Sequence, residues 1–372
     1  MPLHGERLAK PSYSILRSIR GGTTGETVLA RHEVFGREVV QKTYSYLGLE
    51  DAIATREPRL MQTIRHAHIA AVLEAQFDPD FDYSITFVMP YYEGGSVADA
   101  LAEGYAFSTH QAITLTRQTL DALAHLHTVH EYIHRDAKPG NVFLDEPRRS
   151  AYLGDFGSVA EMGSSGRASA VHGTPLYTPP EGGPDDGEMG VSGDIYSVGL
   201  MLFEMLNGPF PYAGISPEMV ERRLAAARRA LPDSEFETWD PCVPSALRTV
   251  VRTAIRRSAD DRYQSASDFI AALGRVRCVD WSRAEGSGLD GTWRGTWPPH
   301  EREGRRRTYE VTSRVLRGGT RRRLQAVEAM PRRSSSRRFG VEDATVAPND
   351  RTAVERFFAE VSTRAAQRAA AR

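Results

Sequence analysis

Lysine is scarce in this sequence. Only three of the 47 lysine and arginine residues are lysines, namely Lys10, Lys42 and Lys138, and all the others are arginines. The lysine ammonium is a compact point charge on a flexible stem, whereas the arginine guanidinium is a planar fork, so the two are not interchangeable at a binding site. The few positions that keep lysine are therefore candidate functional positions.

Cysteine and long apolar runs are scarce as well. The two cysteines, Cys242 and Cys278, provide neither a disulfide framework nor the ligand spacing of a zinc site, which favours a reducing compartment. No apolar run reaches the ~18–20 residues of a transmembrane helix, and residues 1–10 lack the apolar core of a signal peptide. We therefore expect a soluble, cytoplasmic protein without a membrane span.

The net charge of −1 conceals two regions of opposite sign. Residues 276–372 carry a net charge of +9 and residues 1–275 a net charge of −10. A chain of 372 residues is long enough for two or three domains, and a change of charge of this kind indicates a domain boundary. The basic residues of the last region cluster at Arg305-Arg306-Arg307, Arg321-Arg322-Arg323, Arg332-Arg333 and Arg337-Arg338.

The most informative motif is HRDAKPGN at residues 134–141, which is followed by DFG at residues 155–157. It offers a carboxylate to orient a hydroxyl (Asp136), a cation for a moving phosphate (Lys138) and an amide oxygen for Mg²⁺ (Asn141). Either motif alone would be weak, but the two together at this spacing rarely occur by chance. On these residues the sequence resembles the eukaryotic-like Ser/Thr protein kinases, many of them bacterial.

This resemblance covers roughly residues 12–275 and implies a fold of the α+β class. The expected architecture is the bilobal protein kinase fold, with a small β-rich N-lobe over residues 12–90 and a helical C-lobe over residues 91–275. The resemblance also implies ATP and Mg²⁺ (or Mn²⁺) as cofactors, with Asn141 and Asp155 as the metal ligands.

Four catalytic residues follow from the resemblance. Asp136 is expected to hold a substrate hydroxyl and accept its proton, with Lys138 beside the moving phosphate. Lys42 is expected to reach the α- and β-phosphates and to pair with a helix carboxylate, for which Glu57 is the candidate and Glu50 the alternative. Pro58 directly after Glu57 fits a helix only in its first turn, because a proline further inside removes a hydrogen bond.

Residues 19–31, IRGGTTGETVLAR, resemble the Gly-rich loop of the family, although Arg20 stands at the first glycine position. Glycines there let the backbone approach phosphates and donate hydrogen bonds from its N–H groups to them.

Residues 87–92 resemble the hinge between the lobes, where the carbonyl group of Pro90 and the N–H group of Tyr92 would contact adenine. The ATP-binding residues implied by the resemblance are Gly22, Gly25, Thr27, Val40, Lys42, Met89, Pro90 and Tyr92.

The resemblance places an activation segment between Asp155 and Glu181. In kinases of this type an arginine before the catalytic aspartate, here Arg135, often pairs with a phosphate on that segment. Phosphoserine adds nearly two negative charges, so it can order a loop through arginine. The candidate phosphosites are Ser164, Ser165, Ser169 and Thr174.

Three further residues have expected structural roles. Glu181 is expected to pair with Arg262, and Asp194 is expected to support the catalytic loop from below by accepting hydrogen bonds from its backbone N–H groups.

Residues 276–372 resemble no family that we can name. Residues 276–290 are interpreted as a linker, and 291–372 as a basic accessory domain of the α+β class. Strands are expected over residues 291–297, 309–316 and 324–329, and an amphipathic helix is expected over residues 351–372. Such a domain could bind another protein, its own kinase domain, an anionic membrane face or nucleic acid. Because arginine is abundant throughout the chain, the basic clusters are weak evidence for binding of nucleic acid. A regulatory or protein-binding role is therefore favoured.

The sequence thus predicts a Ser/Thr protein kinase that autophosphorylates and acts on protein substrates. A pseudokinase is the alternative, supported by the missing first glycine, by Thr27 in place of valine and by Pro58. Against it, Lys42, Asp136 and Asp155 are all present, and pseudokinases typically lose one such residue. A small-molecule phosphotransferase is disfavoured, because residues 173–181 resemble the substrate-docking loop and APE motif of protein kinases.

Overall fold

The structure, a computed structural model, describes the ranges that follow. They are residues 13–19, 26–45, 56–77, 84–170, 174–183, 187–297, 307–329, 336–338 and 341–370.

A five-stranded antiparallel sheet opens the described chain, with the strand order β1-β2-β3-β5-β4. The central strands carry β-branched and aromatic residues, which favour a pleated surface, and the side chains of Val39, Phe87 and Val88 are fully buried. The elements of this part are β1 (Tyr13–Ser18), β2 (Glu26–His32), β3 (Glu38–Ser45), α1 (Arg56–Thr63), β4 (Glu74–Phe77) and β5 (Ser84–Pro90).

Helices dominate the next part of the chain. Serine caps begin several of them, because a serine hydroxyl accepts a hydrogen bond from an otherwise unpaired backbone N–H group, as Ser96, Ser108 and Ser265 do. No helix in the described part of the chain combines the length and the apolar composition that a membrane span requires. The helices are α2 (Val97–Ala102), α3 (Thr109–Val129), α4 (Val191–Asn207), α5 (Pro217–Ala225), α6 (Ser245–Ala254) and α7 (Ala266–Arg275).

Helix α4 forms the centre of the helical part, since its residues from Gly193 to Leu206 are buried on every side. A helix that is apolar all round lies inside a protein, which agrees with this position. Three short antiparallel strand pairs lie in the segments between the helices. They are β6 (Tyr132–Ile133) with β9 (Ala160–Glu161), β7 (Val142–Leu144) with β8 (Ala151–Leu153), and β10 (Arg167–Ser169) with β11 (Glu188–Gly190).

A second sheet and a terminal helix follow. The sheet is an antiparallel meander of order β12-β13-β14-β15-β16, and β17 also pairs with β15. The three strands and the helix predicted for this region are present. The elements are β12 (Asp280–Ser287), β13 (Asp290–Trp297), β14 (Arg307–Val315), β15 (Arg322–Ala329), β16 (Ser336–Arg338), β17 (Ala344–Val346) and α8 (Arg351–Ala370). The architecture therefore confirms the predicted α+β class, with a β-rich lobe, a helical lobe and a small α+β region.

Strand β12 lies where the sequence predicts a linker. Residues 276–290 read as a linker because of their Gly and Ser content, but residues 280–287 pair with β13 in an antiparallel ladder. The reason is tertiary: Trp281 is buried and packs edge-on against Phe358 of α8, 5.4 Å between ring centroids. Burial of an aromatic ring of this size outweighs the local preference for a loop.

The C-terminal sheet shares a core with the helical lobe. Trp239, Trp281 and Trp293 belong to one continuous cluster of buried side chains. Asp240 of the helical lobe accepts hydrogen bonds from the indole N–H of Trp293 (2.9 Å) and from the guanidinium of Arg283 (2.6 Å). The two parts are therefore joined by apolar packing and by a half-buried charge pair.

The contact at Gly295 generates a stability prediction. A Cβ atom at Gly295 would lie 2.4 Å from the ring of Trp281, whereas a Cβ atom at Gly274, on α7, would meet nothing within 4 Å. We expect Gly295→Ala to lower the free energy of unfolding by ~1–3 kcal/mol, because the buried ring has to move. Gly274→Ala is the control and should be neutral or stabilising by up to ~1 kcal/mol. Denaturant titration measures both, and equal effects would contradict the proposed packing.

Candidate active site

The predicted catalytic loop lies between β6 and β7, and its side chains converge on Asp136. One carboxylate oxygen of Asp136 accepts hydrogen bonds from the ammonium of Lys138 and from the amide of Asn141, both at 2.8 Å. The other oxygen accepts the backbone N–H group of Thr174 at 2.9 Å. Lys138 also donates to the hydroxyl of Thr174. A carboxylate and an ammonium thus lie side by side in fixed orientations.

Asp194, at the start of α4, supports this loop from below. Its two carboxylate oxygens accept the backbone N–H groups of His134 and Arg135, both at 2.8 Å, and the ring N–H of His127 at 2.7 Å. Burial by itself raises the pKa of Asp194, but the hydrogen bonds from the His127 ring and from the backbone N–H of His134 outweigh it and hold the pKa below its usual value. The carboxylate therefore fixes the path of the backbone just before Asp136.

His134 is held as a neutral imidazole. Its Nε2 atom lies 3.1 Å from the carbonyl oxygen of Gly154, and its Nδ1 atom accepts the backbone N–H of Asp136 at 3.3 Å. Nε2 therefore carries the hydrogen, and Nδ1 has no place for a second one. Complete burial lowers the pKa of His134 from its ordinary value of 6.5.

Asp155 faces Lys42 across the cleft between the sheet and the helical lobe. The Nζ atom of Lys42 lies 3.2 Å from a carboxylate oxygen of Asp155. Burial alone would raise the pKa of Asp155, but the ammonium of Lys42 outweighs it and lowers the pKa. A backbone hydrogen bond of 2.9 Å from Gly154 to the carbonyl of Asn141 links this carboxylate to the catalytic loop.

The oxygen atoms of Asn141 and Asp155 suit a hard divalent cation. The amide nitrogen of Asn141 is engaged by two hydrogen bonds to Asp136, so its amide oxygen is the atom that can serve as a ligand. Asp155 contributes an ionised carboxylate. Carboxylate and amide oxygens, completed by substrate phosphates, are ligands that Mg²⁺ and Mn²⁺ prefer. The residues present therefore fit the expected metal ion.

Several residues of the expected nucleotide site lie together on the N-terminal sheet. In the register of β2, β3 and β5, Thr27 lies opposite Lys42, and Val40 lies opposite Met89. Pro90 ends β5, and the ring of Tyr92 stacks on Phe143 at 5.6 Å. Burial raises the pKa of the Tyr92 hydroxyl to about 12.

Some expected positions cannot be placed in the site. Gly22, Gly25 and the alternative carboxylate Glu50 lie outside the described residues. Glu57 and Pro58 lie within α1, but their side chains are not among those described. The observed partner of Lys42 is Asp155, and the predicted pair of Lys42 with Glu57 stays a prediction.

The side chain of Arg135 contacts main-chain carbonyl groups of the activation segment. Its guanidinium donates to the carbonyl oxygen of Ser158 and, at 2.6 Å, to that of Ser169. The candidate phosphosites Ser164, Ser165 and Ser169 are exposed. The structure therefore places Arg135 beside one of the candidate phosphosites, whereas Thr174 lies with Asp136 and Lys138 in the candidate catalytic group.

A buried ion pair anchors the far end of this segment. The guanidinium of Arg262 donates to both carboxylate oxygens of Glu181, at 2.6 and 2.8 Å, and Arg262 is almost completely buried. Its remaining N–H groups donate to the carbonyl oxygens of Ser192, Arg256 and Arg257. Because all its donors are engaged in a fixed fork, the arginine is held with well-defined geometry.

The sequence interpretation missed the network around Glu204. This buried carboxylate of α4 accepts hydrogen bonds from the hydroxyl groups of Tyr177 (2.6 Å) and Tyr212 and from the backbone N–H of Phe210 (3.1 Å). Burial raises the pKa of Glu204. The signal was visible: Glu204 is the one charged residue in the apolar run from Val198 to Leu206, and a buried charge needs partners.

A β-rich lobe and a helical lobe, with two carboxylates, two lysines and an asparagine gathered between them, form the arrangement of a phosphotransferase. The model of the protein kinase domain family matches residues 13–273, and the chain belongs to that family.

Bacterial serine/threonine-protein kinases are among the curated relatives of this chain. The chain is 28% identical to serine/threonine-protein kinase PrkC of Bacillus subtilis over 282 residues, which is 73% of this chain and 41% of that protein. It is 29% identical to the DNA damage-responsive serine/threonine-protein kinase RqkA of Deinococcus radiodurans over 325 residues, 83% of this chain and 44% of that protein. The chain spans about two fifths of the length of these relatives.

The buried imidazole of His134 generates a pH prediction. In the unfolded chain it takes up a proton near pH 6.5, whereas the folded protein resists protonation because the pKa is lowered. The unfolded state thus binds more protons than the folded state below pH 6.5. The contribution of His134 to the free energy of unfolding is therefore fully present above that pH and decreases as the pH falls. One such group accounts for up to ~1.4 kcal/mol per pH unit.

Denaturant titrations between pH 7.5 and 5.0 measure this dependence. His134→Gln, which keeps a donor and an acceptor but does not titrate, should have a shallower dependence than the parent. His66 and His130, whose pKa values burial also lowers, contribute in the same direction and are unchanged in this variant. An unchanged slope in the His134→Gln variant would contradict the assignment.

Proposed function

We propose that this protein is an ATP-dependent protein serine/threonine kinase that transfers the γ-phosphate of ATP to hydroxyl groups of protein substrates. The observation that carries this proposal is the group of Asp136, Lys138 and Thr174: the ammonium of Lys138 donates to the carboxylate of Asp136 and to the hydroxyl of Thr174, and the same carboxylate accepts the backbone N–H of Thr174. Phosphoryl transfer requires positioning and charge neutralisation rather than covalent chemistry. The names of the relatives, serine/threonine-protein kinases, support the same reaction.

Asp136 would position the substrate hydroxyl. Its carboxylate is oriented by hydrogen bonds from Lys138, Asn141 and Thr174, so it can receive the hydroxyl proton without rearrangement. The ammonium of Lys138 lies beside it and would neutralise charge on the transferred phosphoryl group.

Lys42 and Asp155 would act on the nucleotide side of the cleft. When bound, Mg²⁺ or Mn²⁺ neutralises charge on the phosphate oxygens. Asp155 and Asn141 would hold the metal ion, and Lys42 would direct its ammonium to the α- and β-phosphates. Glu57, Gly22 and Gly25 keep their proposed roles as the carboxylate partner of Lys42 and as phosphate-contacting positions. Thr27, Val40, Met89, Pro90 and Tyr92 are proposed to surround adenine.

Replacing Asp136 tests the mechanism. We expect Asp136→Asn to lower the rate of phosphate transfer by ~10²–10⁴-fold, because the hydroxyl loses its proton acceptor. Glu161→Gln removes an exposed carboxylate on β9 and should leave the rate unchanged. Transfer is measured by intact mass after incubation with ATP and Mg²⁺. Full activity of Asp136→Asn would refute the mechanism, and ATP binding without transfer by the parent would favour a pseudokinase.

We also propose that the protein autophosphorylates its activation segment and that Arg135 recognises the phosphate. Ser169 is the favoured site, because its carbonyl already contacts Arg135 and its side chain is exposed. A phosphate there would add charge-assisted hydrogen bonds to the guanidinium.

Phosphopeptide mapping of the parent tests this regulation. We expect phosphate on Ser169, and Ser169→Ala should lower transfer to an added protein substrate several-fold, because the segment loses the phosphate that would bind the guanidinium of Arg135. Ser164→Ala and Ser165→Ala are matched controls in the exposed turn just before β10 and should have smaller effects. An active protein without phosphate between residues 158 and 174 would exclude this form of control.

The region from β12 onward is proposed to stabilise its own kinase domain and to present a regulatory or partner-binding surface. The contacts of Asp240 with Arg283 and Trp293 support this proposal. Binding of nucleic acid is less supported, because the basic clusters are partly used inside the region. Arg322 pairs with Asp290 at 2.8 Å and is buried, and Arg323 pairs with Asp343 at 2.7 Å.

A cytoplasmic location is proposed on chemical grounds. ATP is available there, and the two free thiols, on Cys242 and Cys278, stay reduced in that compartment. Burial raises the pKa of both thiols, so neither is activated as a nucleophile.

A further inference from the structure

A second charged site lies on the helical lobe, away from the catalytic group. A cavity of about 210 Å³ lies beside the C-terminal end of α5. Its lining contains four guanidinium groups and one carboxylate, so it has a positive excess of three charges. The lining residues are Arg223, Arg228, Arg229, Asp233 and Arg257.

Two of these arginines are held rigidly by main-chain carbonyls. Arg223 donates to the carbonyl oxygens of Arg229 (2.8 Å) and Leu231 (2.9 Å). Arg229 donates to the carbonyl of Ile255 at 3.0 Å and to the carboxylate of Asp233 at 2.6 Å. Carbonyl partners fix a guanidinium without cancelling its charge, and fixed donors lose little entropy when a ligand binds.

The other two arginines are less restrained. Arg257 donates one hydrogen bond, of 3.3 Å, to the carbonyl of Ala227. Arg228 is exposed, and within the described chain its side chain forms no hydrogen bond or ion pair. Arg228 can therefore turn towards a ligand in the cavity without breaking a contact.

The charge and the size of the cavity select its ligand. A guanidinium group can bind two phosphate oxygens through two parallel hydrogen bonds. A ligand with two negative charges offsets most of the positive excess of three charges in the cavity lining. Because water occupies ~30 Å³ per molecule, the cavity accommodates a phosphate and the few atoms that carry it. A nucleic acid backbone requires instead an extended basic stripe with aromatic side chains to stack on bases.

The cavity adjoins the anchor of the activation segment. The carbonyl of Arg257, one of its lining residues, accepts a hydrogen bond of 2.9 Å from Arg262, which in turn binds Glu181. The carbonyl of Leu224, on α5, lies next to Gly183. A phosphate bound here would thus lie close to the loop that, under the proposed function, docks protein substrates.

We propose that this cavity binds the phosphate of a phosphoserine or phosphothreonine in a protein segment. The choice of a phosphoprotein rests on the proposed function, because a protein Ser/Thr kinase produces phosphoserine and phosphothreonine in its protein substrates. A substrate that already carries one phosphate would then be retained for a second transfer, at a residue that reaches Asp136.

A binding assay with full-length protein, without ATP, tests the site. The probe is a fluorescent phosphoserine peptide, and its binding is measured by fluorescence anisotropy. The same peptide without the phosphate is measured for comparison. We expect Arg228→Ala to weaken binding of the phosphopeptide roughly ten-fold, because a charge-assisted hydrogen bond is lost. Arg222→Ala is the matched control, since it removes an exposed arginine from α5 outside the cavity and should leave affinity within about two-fold.

The outcomes separate the alternatives. Equal binding of both peptides, or equal losses for Arg228→Ala and Arg222→Ala, would overturn the proposal. Tighter binding of inorganic phosphate than of the phosphopeptide would show a free-anion site, and tighter binding of a single-stranded oligonucleotide would show a nucleic acid site. Either result would overturn the phosphoprotein assignment.

This test is independent of catalysis. Phosphopeptide binding that depends on Arg228 in a protein that transfers no phosphate would refute the proposed function and leave the site standing. Conversely, phosphate transfer by a protein that does not bind the phosphopeptide would refute the site alone. In the active protein, Arg228→Ala should slow the second transfer to a singly phosphorylated peptide several-fold and leave the transfer to the unphosphorylated peptide unchanged.

Discussion

The catalytic loop depends on the buried carboxylate of Asp194. It satisfies two consecutive backbone N–H groups, those of His134 and Arg135, just before Asp136, and it also binds the ring of His127. Arg135 has a positive φ of 68°, which a side chain adopts only where surrounding contacts over-determine the backbone. A charged acceptor inside the protein supplies this constraint, since removing it would leave three buried donors without partners.

The activation segment is tied at both ends by arginines of the helical lobe. Arg135 holds its first part through carbonyl groups, and Arg262 holds Glu181 at its end. Between them, Thr174 joins the segment to the catalytic group. A charge added to this segment, or bound in the cavity beside Arg257, would therefore lie next to elements that hydrogen bonds connect to the surroundings of Asp136.

Sequence reasoning reached the parts of the site that are contiguous in the chain. The stretch from Asp136 to Asn141 could be interpreted directly, since its chemistry depends on residue types at short spacing. It did not reach Glu204, whose partners Tyr177 and Tyr212 meet it only when three separate segments pack. It also took residues 276–290 for a linker, because Gly and Ser are local signals, whereas the pairing of β12 depends on burial of Trp281.

The sequence by itself determined the class of the protein, the contiguous residues of its candidate active site, and the strands β13 to β15 with helix α8. These features follow from motifs and periodicity, which are properties of neighbouring residues. Only the tertiary structure decided that Lys42 lies against Asp155, that Asp240 joins the C-terminal sheet to the helical lobe, and that the arginines near α5 surround one cavity. Such contacts connect residues far apart in the chain, and packing alone selects among their many alternative partners.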